Sequence, residues 1–255
     1  MIFDNFTLPH KLDKSSTMYW VNSDTEKKFK AHLEKYPDSI HLHNYQKNPI
    51  TYNLNNYGFR TPDDFNIGDV GTVYLGCSHT FGIGHYLENI WSYKLHQHIG
   101  EGKFFNLGHG ATGLTSQYYF LKYFSDKLKI KKVYHFYPTE CFYRYGIMDK
   151  TGKIEIIGKL AEYESNELKE NLWKEYLIHD TYNEFHNSVY KDAIKNVCKE
   201  IGCEYITHET SQLESIDAYS KTLTPARDLL HYYVEKQHLI YEIFLSLCNK
   251  KNKIL

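Results

Sequence analysis

Two periodicities alternate along this chain from residue 70 onward. Short runs rich in β-branched and aromatic residues recur at 72–75, 103–107, 132–137 and 204–207, composed as buried strands would be. Between them, apolar positions spaced three and four apart predict helices over 87–99, 114–128 and 232–248, and two more within 162–201. In 232–248 the stripe is Val234, His238, Tyr241 and Leu245, widened by Leu239, Ile240 and Ile243. Strands and helices in alternation predict an α/β fold, a parallel sheet with helices on both faces. Residues 1–56 follow neither pattern. They are polar and rich in His, Asn and Lys, with one helix expected near 25–35. They read as an extension packed on a main domain running from 57 to 255. The stretch near 150–200 reads as a helical insert in that domain, a lid or specificity element. No repeat, low-complexity segment or Pro/Gly/Ser linker divides the chain.

Composition narrows the function classes. Lys plus Arg number 30 and Asp plus Glu 31, so the formal net charge is −1. That balance gives no electrostatic footprint for nucleic acid or an anionic membrane surface. No apolar run reaches the length of about 18 residues that spans a bilayer. The start, Met1-Ile2-Phe3-Asp4-Asn5-Phe6, lacks a basic-then-apolar leader pattern, so a soluble cytoplasmic protein is expected. The five cysteines (Cys77, Cys141, Cys198, Cys203, Cys248) form no Cys-x-x-Cys pair and predict thiols in a reducing compartment. The 24 tyrosines are the one excess. Codon bias toward Tyr, Lys, Asn and Ile accounts for most of it; the rest offers apolar faces carrying hydroxyls.

Ligands of open parallel sheets bind beyond the carboxyl ends of the strands. Three stretches fall there: Gly76-Cys77-Ser78-His79-Thr80-Phe81-Gly82-Ile83-Gly84, then Gly108, then Tyr137-Pro138-Thr139-Glu140. The first presents a serine in a turn fenced by glycine. A serine hydroxyl needs a base within hydrogen-bond reach, and the base needs a partner that fixes its tautomer. His231 stands out among the histidines, because Asp228 precedes it by three residues in Thr224-Pro225-Ala226-Arg227-Asp228-Leu229-Leu230-His231. The carboxylate can take the Nδ1 proton while Nε2 faces outward. The plainer alternative is an Asp228 that caps the last helix beside a solvated His231.

Together these stretches resemble the blocks of the SGNH (GDSL-type) hydrolase family. The first block, Gly-Asp-Ser-x-Thr-x-Gly-x-Gly, is similar to residues 76–84, with Cys77 in place of the aspartate. Asn56-Tyr57-Gly58-Phe59-Arg60 is similar to a lead-in found in one branch of the family. Asn106-Leu107-Gly108-His109-Gly110, continuing to Gln117, is similar to the second block, and Asp228-x-x-His231 to the last; the matching region spans about 56 to 247. The resemblance implies a flavodoxin-like three-layer α/β/α sandwich and ester hydrolysis through an acyl-enzyme, without metal or cofactor. It implies Ser78 as nucleophile, His231 as general acid/base and Asp228 as its orienting partner. The implied oxyanion hole uses the backbone N–H groups of Ser78 and Gly108 and a third-block asparagine. Phe136-Tyr137-Pro138-Thr139-Glu140-Cys141-Phe142 holds no asparagine there, and Thr139 is the substitute by position. Loss of one such donor costs about 10² to 10³ in rate. Cys77 is expected to be a small apolar neighbour under the loop, since the aspartate it replaces is not the triad acid.

The expected partner is a small-molecule or carbohydrate ester with an O-acetyl or other short acyl group, because aromatic faces with hydroxyls suit sugars. His79, His109, Tyr143 and Arg144 are candidates to meet its polar groups, and Arg227 is a second cation in reach of an anionic substrate. A metal set of His79, His85 and His109 matches no tight ligand spacing, so none is expected. Two other readings use the same scaffold: an O-acyltransferase with the same triad, and a non-catalytic binding domain, motivated by the missing asparagine. A nucleotide loop at 76–84 fits neither Gly-x-x-x-x-Gly-Lys-Ser/Thr nor Gly-x-Gly-x-x-Gly. Homo-oligomerisation is open.

Overall fold

The computed structural model describes residues 8, 12–138, 143–148, 151–158, 179–210 and 221–252. The N-terminal segment contributes β1 (Ser16–Met18), α1 (Glu26–Lys35), α2 (Ile40–Lys47) and β2 (Tyr52–Leu54). The alternating region follows with β3 (Val70–Gly76), α3 (Ser78–Phe81), α4 (Trp91–Ile99), β4 (Lys103–Gly108), α5 (Leu114–Ser125) and β5 (Lys129–Pro138). Next come β6 (Arg144–Met148), β7 (Ile154–Gly158), α6 (Asp180–Glu200), β8 (Glu204–Thr210) and α7 (Val234–Asn252). Four strands form a parallel sheet in the order β4-β3-β5-β8.

Successive side chains of a strand point to opposite faces, and here both faces are apolar. Val73, Leu75, Phe105, Leu107, Val133 and Tyr137 pack on one side against α5 (Phe120, Leu121, Phe124) and α6 (Ile194, Val197). Tyr74, Phe104, Tyr134, Phe136 and Ile206 pack on the other against α4 (Trp91, Leu95) and α7 (Ile240, Phe244). Helices therefore cover both faces, and the α/β layering expected from the alternation is what the chain adopts. Each expected strand lies inside an observed one. The helix expected over 87–99 is interrupted, because Ile90 is extended (φ −78°, ψ 141°) between a 3₁₀ turn at Leu87–Asn89 and α4. Of the helical insert expected near 150–200, Asp180–Glu200 is a helix, but Ile154–Gly158 is a strand, β7, paired antiparallel with β6. Alternating apolar Ile154 and Ile156 suit a strand, not a helix. Residues 159–178 lie outside the described residues. No disulfide joins the described cysteines, and no described helix is long and apolar enough to cross a membrane.

The N-terminal segment is more ordered than its polar composition suggests. Thr25 caps α1 by accepting from Lys28 N (3.3 Å), and Ser39 caps α2 by accepting from Leu42 N (3.5 Å). β1 pairs antiparallel with β2. Val21, Phe29, Leu42, Tyr45, Ile50, Tyr52 and Leu54 bury themselves against Phe81 and Ile83, the residues just after the serine turn. The segment is thus seated on the turn that carries Ser78.

Arg60 explains why the Asn56–Arg60 lead-in matters physically. Its guanidinium is buried and donates to the carbonyls of Gly82 (2.6 Å), His85 (2.8 Å) and Thr51 (3.2 Å), fastening the loop that follows α3. Burial pulls its pKa down to about 10. A lysine carries the charge but cannot fork across these carbonyls. Arg60→Lys is expected to cost about 2 kcal/mol, a deficit typical of buried acceptors left unsatisfied. Urea titration checks this, with unchanged far-ultraviolet dichroism showing that the fold persists.

Candidate active site

Ser78 is the first residue of α3, placed beyond the carboxyl end of β3. The first N–H groups of a helix have no intrahelical acceptor, which leaves those of Ser78 and His79 without one inside α3. Thr80 N and Phe81 N instead donate to Cys77 O, 3.0 Å each. Ser78 is 7% exposed and Cys77 is fully buried.

Asp228 and His231 come from the loop between β8 and α7. Arg227 N donates to Gly84 O (2.9 Å), which ties this loop to the serine turn. Gly84 has φ +77°, and a Cβ there would lie 2.9 Å from Ala226 Cβ and 3.2 Å from Asp228 Oδ1. Leu229 adopts φ +53°, a conformation unusual for a bulky residue, between Asp228 and His231 in the chain. Asp228 Oδ2 accepts from His231 Nδ1 at 2.7 Å, and Oδ1 accepts from Leu230 N at 3.1 Å. Because α7 begins only at Val234, Asp228 orients a buried histidine and does not cap the helix.

The electrostatics follow from that pairing. Burial pushes the Asp228 carboxyl up, but the charge and hydrogen bond of His231, then Ser23 and Leu230 N, outweigh it and hold it well below the carboxylate range. Burial lowers His231, while the Asp228 charge and hydrogen bond raise it, with Cys77 adding to the rise and Arg144 opposing it; the net is upward. Ser78 makes no hydrogen bond to His231 among the described residues, and such bonds often tighten only with substrate. One chain neighbour of Ser78 lies against the imidazole. The His79 ring lies edge-on to His231 with centroids 5.1 Å apart, and Cys77 is close enough for its charge to act on His231.

Other expected residues are placed differently. The Gly108 N–H, expected in the oxyanion hole, donates to Asn106 Oδ1 (2.9 Å), while Asn106 Nδ2 donates to Thr80 O (3.1 Å). Gly108 serves close packing, since a Cβ there would collide with Phe81 N. His79 and His109 are buried, not rim residues. His79 stacks on Tyr232 at 3.8 Å, and His109 lies edge-on to Phe59 and Phe120. Burial, then His231 and Arg144, hold His79 well below the ordinary histidine range, and burial takes His85 to about 3. Among the described residues no three His, Cys, Asp or Glu side chains form a group able to hold a metal. Tyr143 donates to Asp180 Oδ1 (3.0 Å). Arg144 is half-buried and acts on both His231 and His79. Arg227 is removed from the substrate candidates because it forms a buried ion pair with Asp24, Nη2 to Oδ2 2.6 Å. Thr139 lies outside the described residues. A cavity of about 90 Å³ lined by Thr51, Asn53, Arg60, Thr61, Tyr86, Leu87 and Glu88 shares no residue with the Ser78, Asp228 and His231 constellation.

Sequence reasoning missed Ser23, whose Oγ donates to Asp228 Oδ2 at 2.6 Å. Asn22-Ser23 reads as turn chemistry, but nothing local says that the turn meets a residue 205 positions away. It also missed His135 and its pairing with Gln117. Burial takes His135 to about 3, so it is neutral; Nε2–H donates to Gln117 Oε1 (2.7 Å) and Nδ1 accepts from Tyr205 OH (2.8 Å). No family model matches this chain, and no curated protein matches it.

Proposed function

We propose that this protein is a serine esterase of the SGNH type, acting on a short acyl ester of a carbohydrate or small polar molecule. The observation that supports the reading is the buried Asp228–His231 pair, hydrogen-bonded at 2.7 Å, with the ring of His79, the residue after Ser78, edge-on to the imidazole. The Asp228 contact places the proton on Nδ1 and leaves Nε2 as the base. Ser78 Oγ attacks the ester carbonyl as His231 Nε2 takes its proton. The N–H groups at the start of α3 stabilise the tetrahedral oxyanion. His231 then protonates the leaving alcohol, and water deprotonated by the same nitrogen releases the acid and regenerates Ser78. Both residues are buried, but Ser78 keeps 7% exposure where Cys77 has none, which favours serine over cysteine as nucleophile.

The test is turnover of p-nitrophenyl acetate, butyrate and octanoate by wild type and Ser78→Ala. Ser78-dependent turnover that falls with chain length supports the reading, and equal rates in both proteins reject it. Burial of Ser78 and His231 also suits transfer of the acyl group to an alcohol in place of water. An added sugar acceptor that yields acylated product in preference to acid would select the transferase.

Arg144 adds a charge preference. No described carboxylate pairs with it, and it lowers His231. Arg144→Ala is expected to reduce kcat/KM about ten-fold for an ester bearing a carboxylate and much less for a neutral one, as loss of a charged contact predicts. Removing a cation from beside the imidazole raises the His231 pKa, so the acid limb of the pH profile moves upward. Parallel pH profiles on charged and neutral esters check both effects.

A further inference from the structure

Residues Val21 and Asp24 exchange backbone hydrogen bonds (Val21 N to Asp24 O 3.0 Å, Asp24 N to Val21 O 2.9 Å), making Asn22-Ser23 the tip of a tight turn. Both tip side chains reach loops of the candidate site. Asn22, at φ +50°, lays its amide over Gly110, where a Cβ would push the amide aside. Ser23 Oγ donates to Asp228 Oδ2. The base of the turn is held on the same loop: Asp24 pairs with Arg227, Tyr52 OH donates to Asp24 Oδ2 (2.5 Å), and the Arg227 guanidinium stacks on Trp20 at 4.1 Å.

We propose that Ser23 is a positioning residue of the Asp228–His231 pair, which makes the N-terminal segment a working part of the site. The Asp228 carboxylate receives three donors: His231 Nδ1 and Ser23 Oγ on Oδ2, and Leu230 N on Oδ1. Ser23 alone among them comes from outside the Asp228 loop. It shares the oxygen that holds the imidazole, so it fixes the direction of that lone pair and disperses the charge His231 feels. A clasp that merely fastened the segment would have no reason to use that atom, because the Asp24–Arg227 ion pair already fastens it.

The sign of the expected shift follows. Without the Ser23 hydroxyl, the carboxylate charge is less dispersed and attracts the His231 proton more strongly, so the imidazole becomes more basic. The other titratable or charged neighbours of His231 are Cys77, Arg144, His79 and His85, and none is altered by the substitution. NMR titration of ring-labelled histidine, assigned by loss of the signal in His231→Gln, reads this directly in wild type, Ser23→Ala and Ser23→Thr.

The expected result is an upward shift of the His231 midpoint in Ser23→Ala, restored in Ser23→Thr. The acid limb of kcat/KM moves the same way, and kcat falls about ten-fold. If Ser23→Ala does not fold, Ser23→Cys, a weaker donor, shows the same shift at smaller size. A His231 midpoint identical to wild type, with only the melting temperature lowered, overturns the proposal. The kinetic arm rests on the esterase reading, but the titration does not. An inactive wild type whose His231 still shifts would reject the esterase and keep the Ser23–Asp228–His231 coupling.

Discussion

Ser78→Ala lowers kcat/KM for p-nitrophenyl acetate by about 10⁴-fold or more, His231→Ala does the same, and the double substitution costs little beyond either one. Non-additivity is the informative part. A nucleophile and its base act as one unit, so removing either removes the covalent route, whereas two independent binding residues would multiply their losses. Asp228→Asn is expected to be nearly as damaging while leaving the geometry in place. Its amide would donate to Nδ1, forcing the proton to Nε2, and that tautomer cannot accept from Ser78. The pH profile carries the same information. His231 must be neutral to act as base, and Asp228 holds its pKa above the ordinary histidine value. Activity therefore rises through an acid limb displaced upward from that of an unperturbed histidine. The measurement is kcat/KM against pH for wild type and the four variants.

Asp24→Ala produces the largest expected loss of stability. Asp24 and Arg227 are each 1% exposed and joined by contacts from Nε and Nη2 (3.0 and 2.6 Å). Removing the carboxylate strands the guanidinium in the interior with, among the described residues, the Tyr19 carbonyl and the Trp20 and Phe29 rings. Breaking one side of a buried pair costs about 3 to 5 kcal/mol, far more than the pair contributes over an apolar replacement. For a chain of this size that corresponds to a melting temperature lower by about 10 °C. Adding Arg227→Met to Asp24→Ala removes the stranded charge, so the double variant is expected to recover part of the loss. Thermal unfolding of the two single variants and the double variant decides this. A double variant less stable than both singles would contradict the account.

The sheet was legible because its strands are buried on both faces. Continuous runs such as Val73-Tyr74-Leu75 and Val133-Tyr134 leave little doubt about conformation, and the helices between them carry strong apolar stripes. The Asp228–His231 contact was legible because the two are three residues apart, so their meeting is a local event. Three kinds of feature were not legible. The hairpin at 144–158 was hidden because short apolar runs fit a helix or a strand equally until a partner is found. The fate of the Gly108 N–H depended on Asn106, two residues away, whose amide closes back on its own strand. The role of residues 16–54 was invisible because it lies in contacts across the whole chain: Ser23 to Asp228, Asp24 to Arg227, and Tyr45 OH to Pro225 O at 2.7 Å. Polar residues at those positions read as solvated surface, and burial reverses that reading.

The most direct test of the central claim is covalent labelling. Wild type treated with a fluorophosphonate should gain one adduct by intact mass, located at Ser78 by peptide mapping. Labelling should slow as His231 is protonated at low pH and vanish in Ser78→Ala. Absence of an adduct on Ser78, or an adduct that persists in Ser78→Ala, would contradict the assignment of Ser78 as the nucleophile.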